Sequence, residues 1–453
     1  FFNEFYYPGL LADVLAGKRP RASQNIARVD RRQPQVRLSL AEDKFTADKP
    51  ISSRKVKIRV QISEAQPDSA HAAGSGARDV RLFRNGSLIK AWRGDVQPNG
   101  TFEESVSIVA GENHLTAYAF NKDNIKSADA TLILNGAAGL KRKGTAYVLI
   151  AGVNEYANPR FNLRYAVADA QEFGDTLRQK QTKLGNFSNI EVISLLNQDA
   201  TRANILAALG RLSGKDDGAG TAPAILNRIK PAEPEDAVIL YFAGHGTAQK
   251  TRFYLIPHDL GYEGPIDALD EAGLNSLLTH SISDRELEQA FEHIDASDLL
   301  MVIDACNSGQ ALESDEKRRG PMNSKGLAQL AYEKGLYILT AAQGYQAALE
   351  AAELGHGFLT YALVEEGLKK GAADTDPKDG KILIREWVDF AVDRVPEMQE
   401  AALAGARGLK LVFAPGDEKV SDPLKRNVQR PRVFYRREVE PQPLVVERVS
   451  GAR

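Results

Sequence analysis

The spacing of apolar residues changes twice along the chain. In residues 1–33, Phe5, Leu10, Leu11, Val14 and Leu15 recur at helical spacing after Pro8, predicting one short helix in a connector. The arginine-rich stretch from Lys18 to Arg32 reads as solvated. From 34 to 135 the period falls to two. Val36, Leu38 and Leu40 alternate with polar residues, as do Val56, Ile58, Val60 and Ile62. Asn85-Gly86 and Asn99-Gly100 are hairpin-turn signals, and further strands are expected at 102–109, 114–120 and 130–134. Short strands at this spacing predict an immunoglobulin-like β-sandwich, a spacer or binding module with no catalytic constellation of its own.

Residues 136–144 read as a basic, glycine-containing linker. From 145 to 414 the pattern becomes strand, helix, strand. The run 146–153 (AYVLIAGV) is continuously apolar, as buried parallel strands are, and Leu163, Ala166, Ala170, Phe173 and Leu177 follow at helical spacing. Strands are expected at 191–196, 237–242, 298–303, 336–340 and 409–413. Helices are marked by Leu287, Ala290, Phe291 and Ile294, by Phe358, Tyr361, Ala362 and Glu365, and by Trp387, Val388, Ala391 and Val395. This predicts an α/β fold, a mostly parallel sheet between helices, with its site at the carboxyl ends of the strands. The tail, 415–453, is rich in proline and charge, with one strand-like piece at 432–435, and either packs on the domain or stays flexible.

Composition alters this picture little. A chain of 453 residues has room for two or three domains. Its 58 basic and 60 acidic residues leave a net charge of −2, which argues against wholesale attraction to nucleic acid or anionic lipid. No apolar run approaches the roughly 20 residues that span a bilayer. The chain opens on Phe1, so it reads as processed or as a fragment. The compartment stays open, with the cytoplasm favoured. One cysteine excludes an internal disulfide and a cysteine-based zinc site, and the seven histidines show no H-E-x-x-H spacing.

That cysteine, Cys306, lies just past an apolar run in LLMVIDACNSG, and His245 lies just past another in AVILYFAGHG. If the two strands are parallel neighbours, both side chains emerge at one sheet edge. A thiol of pKa near ~8.5 needs an adjacent imidazole to react at neutral pH. Nearby glycines let the backbone approach closely and aim N–H groups at an oxyanion. A lone cysteine is more often a small buried hydrophobe, but two strand ends with glycine at hand favour a catalytic pair.

VLIAGVNEY, NLRYAVADA, YFAGHG and DACNSG, in that order, resemble the caspase-like cysteine peptidases, most of all the metacaspases and bacterial orthocaspases, from about 145 to 413. LTAAQGYQAALE and ELGHGFLTYAL resemble the small-subunit half of that fold. The resemblance implies a polypeptide substrate, Cys306 as nucleophile, His245 as its partner, and an oxyanion hole from the N–H groups of Gly246 and Cys306. It also implies an acidic pocket, Asp169 with Asp304, for an arginine or lysine side chain. Asp304 stands where animal caspases carry glutamine. The rival is Arg164, near where true caspases place a pocket arginine, which would favour an acidic guest. As a structural alternative, Asp169 would serve as helix-start charge and Asp304 as a strand-end hydrogen-bonding group.

The loop 313–325 falls where this fold often carries a self-processing site, and its Lys317-Arg318-Arg319 would suit a basic-selective pocket; a solvated charged loop is the simpler reading. Some metacaspases need calcium, and Asp259, Asp267 and Asp270 offer oxygen ligands, with plain solvation the alternative. Gly355-His356-Gly357 repeats the glycine-flanked histidine but opens a helical stretch, so it reads as a cap or turn. Phe1 to Asp30 resembles the connector that follows β-propeller repeats in some bacterial caspase-like proteins. That suggests an upstream propeller, or a partner protein bound through the sandwich.

Overall fold

The structure, a computed structural model, describes residues 10–18, 29–42, 45, 49–215, 222–249, 252–265, 269–307, 325–341, 350–351, 355–403, 411–412, 429–436 and 443–449. The chain divides into two compact units, Phe1–Arg142 and Lys143–Arg453.

In the first unit a short helix, Leu10–Leu15, precedes seven strands: β1 (Gln35–Leu40), β2 (Lys55–Ser63), β3 (Arg78–Arg84), β4 (Ser87–Asp95), β5 (Thr101–Ser107), β6 (Gly111–Phe120) and β7 (Ala130–Gly136). They pair antiparallel as two sheets, β1-β2-β5 and β4-β3-β6-β7. The period-two pattern has its physical counterpart in β2, where Val56, Ile58, Val60 and Ile62 are buried between solvated neighbours. They share one core with Val80, Leu82, Leu115, Ala117 and Leu134 of the other sheet. Asn85 and Gly86 both take positive φ, the geometry a two-residue hairpin demands. Arg32 is not simply solvated: it pairs with Asp30 at 2.8 Å and donates to the carbonyls of Gln66 and Ala73.

The second unit holds β8 (Thr145–Gly152), β9 (Asn189–Leu196), β10 (Ala237–Gln249), β11 (Arg252–Ile256), β12 (Ile282–Ser283), β13 (Asp298–Asn307), β14 (Leu336–Thr340), β15 (Glu350–Ala351), β16 (His356–Gly357), β17 (Lys381–Leu383), β18 (Leu411–Val412), β19 (Arg432–Phe434) and β20 (Val445–Arg448). Strands β9-β8-β10-β13-β14 run parallel, while β11, β12 and β19 join antiparallel. On one face, Val148, Ile150, Ile239, Tyr241, Leu300, Val302 and Leu339 pack against the helices Ala166–Leu184 and Ile384–Leu403 and the π-helix Tyr361–Lys369. The residues between them, such as Leu149, Leu240, Phe242 and Met301, are buried as well. Burial on both faces is why these strands read as unbroken apolar runs.

Two expectations shift. The residues around Tyr361 form a π-helix rather than an α-helix. The expected strand at 409–413 is β18, which pairs with β15 in a small sheet with β16 rather than extending the large one. Two strands of the 415–453 segment are built into the unit: β19 edges the large sheet and β20 pairs with β17.

Candidate active site

Strand β10 outlasts β8, whose register with it ends at Ala243↔Gly152. Beyond that point β11 lies antiparallel on one flank, with His245 opposite Ile256. On the other flank β13 keeps parallel register through Gly246↔Asn307, so His245 stands directly beside Cys306 in the ladder. Counting by twos from the core residues Tyr241 and Val302, positions 243, 245 and 304 fall on the sheet face covered by the Ala166–Leu184 helix.

The His245 ring is buried, with its Nε2 2.8 Å from the carbonyl oxygen of Phe161. A carbonyl only accepts, so Nε2 carries the proton and Nδ1 keeps the lone pair. Nδ1 is buried without a hydrogen-bond partner among the described residues. Burial lowers the imidazole pKa to about 4, against a smaller opposing effect of the Phe161 bond, and the ring is neutral at pH 7. The Tyr156 hydroxyl accepts from the His245 main-chain N–H at 2.7 Å and donates to Ile256 O at 3.4 Å. It is therefore wedged into the ladder between two residues that face each other across β10 and β11. A Cβ at Gly244 would lie 2.8 Å from that hydroxyl, and one at Gly246 2.8 Å from the Phe253 ring. Here the glycines serve close approach.

Asp304, opposite Ala243 in the ladder, is buried. Its Oδ2 accepts from the hydroxyls of Thr360 at 3.1 Å and Tyr241 at 3.4 Å, which themselves lie 2.5 Å apart. Asp169, in the first turn of the Ala166–Leu184 helix, is buried too and accepts from Nδ1 of His356 at 2.8 Å and from the Gly357 N–H. Both carboxylates bear on the Tyr241 hydroxyl, whose pKa burial already raises far above its ordinary value. Burial also pushes the Asp169 carboxyl up, and the His356 and Gly357 bonds pull it back. Asp169 in turn raises the His356 imidazole.

His356 is thus more than a cap or turn. Gly357 does begin the short helical turn Phe358–Thr360, but the His356 ring reaches back to Asp169 on the Ala166–Leu184 helix. Arg164 is exposed, and its carbonyl, engaged by Asn154, is the group in use. Asp259 receives the N–H of Arg202, and Asp270 that of Gly273; each holds a helix start. Asp267 and Lys317, Arg318 and Arg319 lie outside the described residues. Among the described residues there is no group of three His, Cys, Asp or Glu that could hold a metal ion, and no helix is long and apolar enough to cross a membrane.

Residues 145–379, just over half of the chain, match the caspase domain of the C14 peptidases. The chain belongs to this family of caspase-like cysteine peptidases. The caspase domain opens at the first residue of β8 and takes in Asp169, His245, Asp304, Cys306 and His356. No curated protein matches the chain. Solved structures with partial likeness include fibronectin(III)-like modules of Clostridium thermocellum CbhA, at 17% identity over 24% of this chain and 50% of that one (TM-score 0.18). Another is a CARDB domain from Pyrococcus furiosus, at 15% over 23% and 97% (TM-score 0.15). A third is a Bacillus subtilis protein, at 11% over 67% and 74% (TM-score 0.19). The chain spans half the length of the first of these.

Proposed function

We propose that this chain is a cysteine-type endopeptidase that cleaves polypeptides after arginine or lysine through Cys306 and His245. The observation that carries the proposal is the buried Nδ1 of His245, unpartnered among the described residues, its lone pair fixed by the Phe161 carbonyl, on the strand whose register puts Cys306 alongside. Nδ1 takes the thiol proton as sulfur attacks the scissile carbonyl. The N–H groups of Gly246 and Cys306 hold the oxyanion of the tetrahedral intermediate. Its collapse expels the amine, which takes the proton back from His245. Water then hydrolyses the thioester and restores the thiol. Since the resting imidazole is neutral, His245 acts as a base during attack rather than as half of a preformed ion pair.

Asp169 and Asp304 form the pocket for the basic side chain. Two buried carboxylates around one hydroxyl favour a cationic guest, and the exposed Arg164 supplies no counter-argument from inside the pocket. Self-processing at Lys317, Arg318 or Arg319 follows from the same selectivity. The N-terminal β-unit serves as an immunoglobulin-like spacer or docking module for a partner protein or an upstream propeller.

The test is cleavage of arginine-ended and aspartate-ended fluorogenic peptides by wild type and Cys306→Ala, with sequencing of any new N-terminus. Wild type is expected to cut the arginine-ended peptide at least about a thousandfold faster than the variant, which lacks the nucleophile. Cleavage after aspartate alone would overturn the pocket, and no cleavage of either would favour a non-enzymatic scaffold.

A further inference from the structure

The acidic pocket already contains a base that belongs to the chain. His356 sits on the two-residue strand β16, and its Nδ1 is 2.8 Å from Asp169 Oδ1. Its side chain keeps 20% of its surface exposed, so it exchanges protons with solvent. The neighbouring helices add Glu172 from Ala166–Leu184 and Glu365 from the π-helix, both within electrostatic reach of the ring. Lys369 bridges those two glutamates at 2.5 Å each and offsets part of their charge. The carboxylate facing the imidazole without another cation in contact among the described residues is therefore Asp169.

We propose that His356 is the resident cation of this pocket: it holds the place against Asp169 that an arginine or lysine side chain of the substrate would take, and such a guest must displace it. The inference rests on the basic-selective reading of the pocket given above and names what regulates it. Protonated, His356 neutralises Asp169 and competes with the guest. Once deprotonated, it leaves the carboxylate uncompensated and binding of a cationic side chain strengthens. Since Asp169 raises the imidazole pKa above its ordinary 6.5, competition extends to higher pH than a free histidine would give and is relieved as pH rises past that raised value. His356 acts through Asp169, so it is a positioning residue and does not enter the chemistry of bond cleavage.

The experiment measures KM and kcat for an arginine-ended fluorogenic peptide between pH 5.5 and 9, in the full chain and in His356→Gln, whose amide can still donate to Asp169 but carries no charge. In wild type KM should fall with rising pH, by at most about tenfold per unit. In the variant KM should be low and flat, with kcat changed by less than about twofold. The same KM limb in both proteins overturns the proposal, and so does a flat KM in wild type. If His356→Gln fails to fold, the His356 imidazole is titrated by NMR in wild type with and without saturating benzamidine. Displacement returns its pKa toward 6.5, and an unchanged value overturns the proposal. Cleavage after aspartate alone sinks the pocket reading itself, a result distinct from arginine cleavage with an unaltered pH profile.

Discussion

A tyrosine hydroxyl inside a strand ladder is an unusual way to hold a histidine, and it makes Tyr156 a position where stability and turnover are coupled. Its oxygen takes the His245 N–H and gives its proton to Ile256 O, so both ladder groups depend on it. Tyr156→Phe leaves a buried donor unsatisfied, at a cost of about 1–3 kcal/mol. It also loosens the strand that aims the imidazole. The expected outcome is a lower urea midpoint together with a reduced kcat and little change in KM. A loss of stability with unaltered kcat would mean that the hydroxyl only supports the ladder. Such a residue is hard to read from sequence. His245 and Cys306 stand out in the sequence as candidates because glycine and a strand end frame each of them. Tyr156 lies 89 residues from its partner, and the Phe161 contribution is a main-chain carbonyl, which no side-chain pattern encodes. His356 did carry a signal, since it repeats the glycine-flanked histidine of position 245. The short strand it occupies, however, looks like a helix start in one dimension.

Between elements, the Tyr241 hydroxyl that meets Asp304 and Thr360 is tied to the core by a stack of rings. Trp387 of the Ile384–Leu403 helix lies on Phe173 with centroids 5.7 Å apart, and Phe173 lies on Tyr241 at 4.4 Å. Tyr241 then touches Asp304 and Thr360. The Trp387 indole N–H donates to Leu363 O of the π-helix, so one side chain fixes two helices at once. Trp387→Ala is expected to cost about 3–5 kcal/mol, as for large aromatic truncations in cores, measured as a shift in the denaturant midpoint. Because the stack ends at Tyr241, KM for a basic substrate should rise as well. An unchanged KM would separate the core from the pocket. The apolar periodicities located Phe173 and Trp387 correctly as core. They did not reveal the π-helix, because Phe358, Tyr361, Ala362 and Glu365 fit a stripe of either pitch. They did not show that Ile384–Leu403 continues past Pro396 either. A proline withholds one hydrogen bond, and here tertiary packing around Val395 and Met398 holds the helix together.

For the whole molecule, the buried imidazole sets an acid limit. In the unfolded chain a histidine binds its proton near pH 6.5, whereas folded His245 does so near about 4. Between those values the unfolded state holds the extra proton, so stability falls as pH falls through that window. The full effect is about 3 kcal/mol. The folded pKa of His356 is raised instead, so its contribution is complete below pH 6.5 and is lost only as pH rises past that raised value. Between pH 7 and 4.5 the urea midpoint of wild type should fall relative to that of His245→Gln, which has no ring to titrate. If the two curves stay parallel, another group sets the limit. The alternation of strand and helix made the large sheet legible in sequence, whereas closure by β20 was not, because Val445 to Arg448 carry no local cue to a partner so far away.

That distant closure bears on how the chain is made. Gln181 reaches across 265 residues to the carbonyl of Val446, and Lys180 pairs with the buried Glu447. At about 5–20 residues per second of synthesis, the Ala166–Leu184 helix waits roughly 15–50 seconds for the strand that covers it. Until then part of its apolar face has no cover, and the helix carrying Asp169 is not fully anchored. The helix that carries Asp169 therefore gains its full cover only once a strand 265 residues further along has been made.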